Sequence, residues 1–184
     1  MIHCGTQTIE TSRLLLRAFT EADCDDMLKY WIANPRVQFE YGEPIYSTIS
    51  EVKKLLDTWK CGYKRRDFYR WAIVEKEQNR NIGQIAFCRV YPDCKTAEIE
   101  YCIGEKFWGK GYVPEALSAV IDFIFRNTDF NKLEAYHRME NTKSGRVLEK
   151  SAMDQADTVQ RFVRENVEPE GEICYCITRD AYLK

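Results

Sequence analysis

Residues 106–117 read KFWGKGYVPEAL. One residue separates Gly109 from Gly111, and Pro114 stands just before an apolar run. Proline is favoured in the first turn of a helix, whereas glycine permits a tight turn or the close approach of another group to the backbone. The stretch therefore predicts a glycine loop that opens a helix over residues 114–126.

The residues before the loop explain what it could bind. Residues 97–103, AEIEYCI, alternate in polarity and predict a strand, so the loop would join a strand to a helix. Backbone N–H groups at a helix start lack partners, and the helix dipole adds positive potential there. The arrangement predicts a phosphate-binding loop. A tight turn without a ligand is the competing interpretation.

Two common phosphate-binding patterns do not fit this loop. The Walker pattern requires Ser or Thr after Gly-Lys, and Gly111 stands at that position. The dinucleotide pattern requires a third glycine, and Pro114 stands in its place. The interpretation that remains is a two-glycine loop that binds a pyrophosphate without a metal ion.

The elements around the loop alternate between strand and helix patterns. Capping signals are Thr20 for one helix and the pair Thr48 and Glu51 for another. Before the loop, the sequence predicts strands at residues 14–17, 69–74, 82–90 and 97–103, and helices over residues 21–33, where Asn34-Pro35 ends the helix, and from Thr48 to about Gly62. After it, the sequence predicts strands at residues 133–137, 158–167 and 173–178, a helix over residues 143–151 and a turn at residues 168–171. The prediction is a mixed α/β fold with a central, mostly antiparallel sheet, in a single domain over residues 1–184.

The composition is that of an ordinary globular protein. The 184 residues are 45% hydrophobic and 30% charged, and a net charge of -2 gives no electrostatic signal for nucleic acid. No apolar stretch has membrane-spanning length, and the first residues lack a signal-peptide pattern. We therefore expect no nucleic-acid and no membrane partner.

The cysteines do not form a metal-binding or disulfide pattern. The chain has eight of them, yet no Cys-x-x-Cys pair occurs and the histidines are only His3 and His137. Cysteines inside apolar segments of a chain this long are typical of small buried side chains. We expect a reducing, cytoplasmic compartment and no metal ion.

Four stretches resemble the GNAT N-acetyltransferase family, and most of all its ribosomal-protein alanine N-acetyltransferase branch. The glycine loop resembles the family's Gln/Arg-x-x-Gly-x-Gly/Ala motif, with Lys106 at its first position. The other stretches are ETSRLLLRAFTEAD at residues 10–23, NTKSGRVLEKSAM at residues 141–153 and CYCITRDAY at residues 174–182. They follow the family's order along nearly the whole chain.

The resemblance implies an acyltransferase that moves an acetyl group from acetyl-CoA, its cosubstrate, to a primary amine by direct attack. It also implies a sheet whose middle strands splay apart to admit acetyl-CoA. The acceptor would be a protein N-terminus or a small-molecule amine. The residues implied in cofactor binding are Cys102, Ile103, Lys106, Gly109, Lys110, Gly111, Tyr112, Val113, Asn141 and Ser144.

The sequence leaves the catalytic groups open. Glu98 and Glu100 share one face of a predicted strand, and either could take a proton from the amine; a solvated or ion-paired face is the competing interpretation. Many relatives carry a Tyr seven residues after the Asn as proton donor, and Leu148 stands there. Ser144 could instead donate a hydrogen bond to the leaving sulfur, although it also fits a helix first turn capped by Asn141.

The sequence is compatible with two functions. Without the Tyr, a non-catalytic acyl-CoA-binding or sensor module competes with the enzyme. The sequence does not give the oligomeric state, and a homodimer is compatible with it.

Overall fold

The computed structural model of the protein describes residues 1–168 and 170–184. The predicted turn at residues 168–171 includes Pro169, which lies outside the described residues. The strands are β1 (Ile9–Glu10), β2 (Leu14–Arg17), β3 (Arg70–Glu75), β4 (Arg80–Tyr91), β5 (Thr96–Ile103), β6 (Lys132–Arg138), β7 (Asp154–Ala156) and β8 (Glu172–Thr178). The α-helices are α1 (Cys24–Tyr30), α2 (Pro35–Tyr41), α3 (Ile49–Gly62), α4 (Tyr112–Asn127), α5 (Thr142–Glu149), α6 (Gln160–Glu165) and α7 (Arg179–Tyr182).

The strands form one mixed sheet with the order β1-β2-β3-β4-β5-β6-β8-β7. The pairs β1–β2, β2–β3, β3–β4, β6–β8 and β7–β8 are antiparallel, whereas β5 and β6 are parallel. A long connection that contains a helix is what a parallel pair requires, and α4 lies in the connection from β5 to β6. The predicted α/β fold with a mostly antiparallel sheet is confirmed.

The register of β5 and β6 is short. Three residues of β5 pair with three of β6, from Thr96 with Lys132 to Glu98 with Glu134. Both strands continue beyond the last pair, β5 to Ile103 and β6 to Arg138.

The described residues divide into two compact units. The N-terminal unit comprises Cys4–Ala86 and Tyr101–Ala119, and the C-terminal unit comprises Met1–His3, Phe87–Glu100 and Val120–Lys184. The N-terminal unit has a core in which α1 and α3 pack on the sheet through large apolar side chains, among them Phe19, Met27, Trp31, Val52, Leu56, Trp59 and Val74. In the C-terminal unit a smaller cluster joins α6 to β8 through Val159, Phe162 and Cys174.

The capping box predicted for the second helix is confirmed. The hydroxyl of Thr48 accepts a hydrogen bond from the N–H of Glu51, and the Glu51 carboxylate accepts one from the N–H of Thr48. These two bonds satisfy N–H groups that the first turn leaves open. Helix α3 then runs to Gly62, where the sequence placed its end.

The helix predicted over residues 21–33 is shorter than expected. A 3₁₀ turn occupies Glu21–Asp23, and α1 ends at Tyr30. Asn34 and Pro35 do not follow the end of that helix directly but begin α2: the Asn34 side chain accepts hydrogen bonds from the N–H groups of Arg36 and Val37. The correction has a simple reason, because Asn-Pro is as suited to an N-cap and first helical position as to a stop.

The strand predicted over residues 158–167 is wrong. Residues 160–165 form α6, and a short strand, β7, precedes it at Asp154–Ala156. Val159 and Phe162 are buried while Val163 is exposed, which is a helical spacing. The N–H of Gln160 donates to the carboxylate of Glu134, 2.7 Å away, so a residue on β6 stabilises the helix start.

All eight cysteines are free, and Cys24, Cys102 and Cys174 are buried as expected, whereas Cys61 and Cys88 are exposed. Across residues 1–168 and 170–184, no group of three or more His, Cys, Asp and Glu side chains is placed to hold a metal ion. None of the helices in the described part of the chain combines the length and apolar content that crossing a bilayer requires.

Candidate active site

The two glycines of the loop lie between β5 and α4, and both have left-handed backbone torsions. Gly109 has φ +74° and Gly111 has φ +77°. Side chains with a Cβ rarely adopt these torsions, so the loop conformation itself requires glycine. A Cβ at Gly109 would meet no atom within 4 Å. Packing therefore does not explain this glycine, and the space beside it is open.

The backbone amides of the loop are available to a ligand. Within the described residues, no N–H group of residues 109–113 donates a hydrogen bond. Pro114 has no N–H, and the N–H of Glu115 donates to the carbonyl of Gly111 at 3.3 Å. The 16-residue helix α4 adds the positive end of its dipole at the same place. Open amides, open space and positive potential fit a pyrophosphate group.

The charged side chains of the motif lie on aromatic rings. The Nζ of Lys106 is 5.8 Å from the ring centre of Tyr30, and the Nζ of Lys110 is 5.5 Å from that of Phe107. Both ammonium groups are within cation–π distance. Lys106 therefore brings a positive charge to this loop although it lacks the planar fork of arginine.

The side chains of Tyr112 and Val113 are buried, so only their backbone amides could contact a ligand at the helix start. The Tyr112 hydroxyl donates to Glu75 across 2.6 Å, and Glu75 is paired with Arg80 at 2.7 Å. Hydrogen bonds from Tyr112 and Arg80 outweigh burial, which opposes ionisation, and hold the pKa of Glu75 below its usual value. The hydrogen bond between Tyr112 and Glu75 fixes the first turn of α4 to β3.

The end of β5 is also fixed in the N-terminal unit. Cys102 and Ile103 are both buried, and the indole N–H of Trp108 donates to the carbonyl of Ile103 at 2.9 Å. A Cβ on Gly83 would come within 2.3 Å of the Cys102 carbonyl oxygen. Glycine at position 83 therefore permits the close approach of the β4 backbone to the strand predicted to pair with the pantetheine arm.

Glu98 is fully buried in the C-terminal unit and is the last residue of β5 that pairs with β6. Its Oε1 lies 3.3 Å from the Nη1 of Arg89, and its Oε2 has no hydrogen-bond partner among the described residues. Burial raises the pKa of Glu98, although the Arg89 charge opposes that shift. A buried carboxyl group with one unpaired oxygen and a raised pKa is a candidate for a functional group.

Glu100 lies two residues further along β5 and is half-buried. The strand alternation places it on the same face as Glu98. The two candidates differ in burial: Glu98 is fully buried and ion-paired with Arg89, whereas Glu100 is only partly buried.

Asn141 and Ser144 meet at the start of α5. The Asn141 side chain accepts a hydrogen bond from the N–H of Ser144 at 3.1 Å, so Asn141 is the N-cap. Leu148 on the same helix is fully buried. His137 is buried against Gly145, and its Nδ1 is 2.8 Å from the Arg138 carbonyl.

Sequence reasoning missed two residues that hold the loop. Arg13 and Glu115 form an ion pair at 2.6 Å in the N-terminal unit. The sequence assigned nothing to Arg13, which immediately precedes the predicted strand, and treated Glu115 as part of the helix start. No local signal could connect them, because 102 positions separate the two residues.

Comparison with known proteins identifies the family. Residues 13–154 match the acetyltransferase (GNAT) domain. The chain is 30% identical over 142 residues to the uncharacterized N-acetyltransferase p20 of Bacillus licheniformis, covering 77% of this chain and 79% of that protein. It is 31% identical over 83 residues to the ribosomal-protein-serine acetyltransferase of Escherichia coli, covering 45% of this chain and 46% of that protein.

A solved structure shows the same fold. Mycobacterium smegmatis RimJ in complex with CoA-disulfide superposes with a TM-score of 0.80 at 18% identity, covering all of this chain and 93% of the other. The acetyltransferase domain match spans the glycine loop, β5, β6 and α5. The chain therefore belongs to the GNAT acetyltransferase family and is an acyltransferase.

Proposed function

We propose that the protein transfers an acetyl group from acetyl-CoA to a primary amine. The observation that carries the proposal is the loop of residues 109–113: two glycines with positive φ and unbonded amides at the start of α4. The family assignment favours this enzyme over a non-catalytic acyl-CoA-binding module.

Bound acetyl-CoA would supply an activated acetyl group on a good thiolate leaving group. The amides of Gly109, Lys110, Gly111, Tyr112 and Val113 would hold its pyrophosphate, and Lys106 would add positive charge. The backbone of Cys102 and Ile103 would bind the pantetheine arm. Asn141 and Ser144 are proposed near the same arm, where the Ser144 hydroxyl would donate a hydrogen bond to the departing sulfur.

Proton removal from the amine is assigned to the acidic face of β5. Glu100 is the first candidate, because it is only partly buried, whereas Glu98 is fully buried. Glu98 is the second candidate, because burial raises its pKa and its buried Oε2 has no hydrogen-bond partner among the described residues. A base in contact with the amine or with one intervening water contributes about 10²–10⁴-fold to such a reaction.

The acceptor is proposed to be a protein N-terminus or a small-molecule amine. The name of the Escherichia coli relative supports a protein acceptor. The N-terminal unit also holds a pocket of about 80 Å³ with aromatic walls from Trp31, Tyr41, Tyr46 and Trp59; its polar and charged lining is Gln38, Glu43, Arg70 and Gln84. Such walls suit the apolar part of an acceptor.

We further infer that residues 1–184 act as a single cytoplasmic acetyltransferase domain without a nucleic-acid or membrane partner. The net charge of -2 supports the absence of a nucleic-acid partner, and the eight free cysteines support a reducing compartment. A homodimer remains compatible with the sequence. Size-exclusion chromatography with light scattering measures the oligomeric state directly.

The proposal is tested by calorimetric titration of acetyl-CoA into the wild type and into Gly111→Asp. The aspartate would place a negative charge and a strained side chain in the loop, so binding should be lost while the wild type binds. A wild type without affinity for acetyl-CoA would reduce the glycines to a turn and remove the proposal's main support. If the wild type binds, mass spectrometry of peptides and small amines then identifies the acceptor.

A further inference from the structure

The carboxylate of Glu115 lies in the first turn of α4, beside the amides proposed to bind pyrophosphate. Its Oε1 accepts hydrogen bonds from the Thr11 hydroxyl at 2.5 Å, the Ser12 hydroxyl at 3.1 Å and the Arg13 N–H at 3.0 Å. Its Oε2 accepts from the Nε of Arg13 at 2.6 Å. The carboxylate therefore ties the β1–β2 turn to the start of α4.

A carboxylate at this position creates an electrostatic conflict. Although partial burial opposes ionisation, the hydrogen bonds from Thr11 and Arg13 hold the pKa of Glu115 below its usual value, so the group is ionised at neutral pH. A negative charge stabilises a helix start, but it also repels a pyrophosphate that binds there. An anion-binding loop needs a compensating positive charge close to Glu115.

Arg13 is placed to supply that charge. Its Nη2 lies 2.6 Å from the Oε2 of Glu115, and its Nη1 donates to the carbonyl of Lys110 at 2.9 Å. The guanidinium carbon is 4.7 Å from the ring centre of Tyr112, and Nη2 would lie 3.4 Å from a Cβ on Gly111. One side chain thus contacts the carboxylate, a loop carbonyl and the first residue of α4.

We propose that Arg13 is a positioning residue of the pyrophosphate loop, whose guanidinium cancels the charge of Glu115 and turns the Lys110 carbonyl away from the bound anion. The inference rests on the proposed use of this loop for acetyl-CoA. It makes a specific prediction about coupling: removing Arg13 exposes the anion to an uncompensated carboxylate, and removing both charges relieves that repulsion.

The test is a double-mutant cycle on the full chain, with CoA as the calorimetric probe and no acceptor present. Arg13→Gln should weaken CoA binding by about tenfold or more. Glu115→Gln removes the repelling carboxylate and keeps the Arg13 charge, so it should not weaken binding, and the double variant should bind CoA better than Arg13→Gln alone. Arg126→Gln is the matched control, because Arg126 also pairs with a carboxylate, Asp122 at 2.8 Å, but lies at the other end of α4.

Salt dependence separates charge compensation from a purely structural role. The deficit of Arg13→Gln should shrink as salt rises from 0.05 to about 0.5 M, because added ions screen an exposed carboxylate. Thermal melting in parallel shows whether each variant is folded. If Arg13→Gln does not fold, Arg13→Lys takes its place: it keeps the charge but loses the fork, so its CoA affinity should lie within several-fold of the wild type.

Three results would overturn the inference. They are wild-type CoA affinity in folded Arg13→Gln, a double variant no better than Arg13→Gln, and a large, salt-independent loss in Arg13→Lys. A wild type that does not bind CoA is a different result, because it removes the proposed function and the inference together. The two failures are thus distinguished in one set of titrations.

Discussion

The side-chain oxygen of Asn141 lies 3.1 Å from the N–H of Ser144, and this one hydrogen bond begins helix α5. Asn141 is therefore an N-cap whatever else it binds. The proposed contact of Asn141 with the pantetheine arm and its capping role predict different consequences of mutation, which can be measured separately.

We expect Asn141→Ala to destabilise the protein by about 0.5–2 kcal/mol, because the side chain can no longer satisfy the Ser144 N–H. If Asn141 also binds the cofactor, its loss should weaken acetyl-CoA binding as well. Chemical denaturation measures the first effect and calorimetry the second. Asn141→Asp is the control, since it restores a cap. Reduced stability with unchanged acetyl-CoA affinity would leave Asn141 with the capping role alone.

Substitution of a loop glycine should have an effect on acetyl-CoA binding that substitution of another glycine with positive φ does not have. Gly109 has φ +74° and Gly42, at the end of α2, has φ +82°, and a Cβ on either meets no atom within 4 Å. We expect Gly109→Ala and Gly42→Ala each to cost about 1–2 kcal/mol of stability, because alanine disfavours the left-handed region. Only Gly109→Ala should also weaken acetyl-CoA binding.

Denaturation and calorimetry on both alanine variants check this expectation. Wild-type affinity for acetyl-CoA in both Gly109→Ala and Gly42→Ala would mean that the exact loop conformation does not matter to the cofactor. Equal losses of affinity in both variants would point instead to a general loss of the folded state.

The elements that the sequence predicted well are those whose signals are local. Thr48 and Glu51 are three residues apart and bond to each other, so the start of α3 could be read from the chain. The loop was found for the same reason, because Gly109, Gly111 and Pro114 carry their backbone preferences with them.

The misses depend on residues that are distant in sequence. Helix α6 begins at Gln160 because the carboxylate of Glu134 accepts its N–H, and 26 positions separate the two. Without that partner, the β-branched residues of the segment favoured a strand. The sequence does not indicate the Arg13–Glu115 ion pair for the same reason. The distinct environments of Glu98 and Glu100 likewise arise from packing, since alternation gives both residues the same face.

The buried Glu98 should leave a signature in the pH dependence of stability. Its folded pKa is raised by burial, so the native state binds its proton more tightly than the unfolded chain does. Its favourable contribution is therefore complete below the ordinary glutamate pKa of about 4.3 and is lost as pH rises through the folded pKa. Relative to Glu98→Gln, the wild type should lose stability as pH rises above about 4.

Glu75→Gln provides the opposite sign as a control. The pKa of Glu75 is lowered because hydrogen bonds from Tyr112 and Arg80 outweigh its burial, so its contribution is present at neutral pH and is lost as pH falls. Urea denaturation of the three proteins at several pH values gives both differences. A flat difference between the wild type and Glu98→Gln would contradict a perturbed Glu98.

Loss of the Glu100 carboxylate should impair catalysis but not cofactor binding. We expect Glu100→Gln to lower acetyl transfer by about 10²–10⁴-fold, because glutamine cannot accept the proton of the amine, while acetyl-CoA affinity stays that of the wild type. Acetylated product should be followed by mass spectrometry, since eight cysteines interfere with a thiol assay. Glu98→Gln is the matched variant: it removes the enclosed carboxylate on the same strand face.

Unchanged turnover in Glu100→Gln would remove Glu100 from the mechanism, and a loss confined to Glu98→Gln would transfer the role of base to the buried residue. Similar losses in both variants would indicate that the amine proton passes along the two carboxylates of β5.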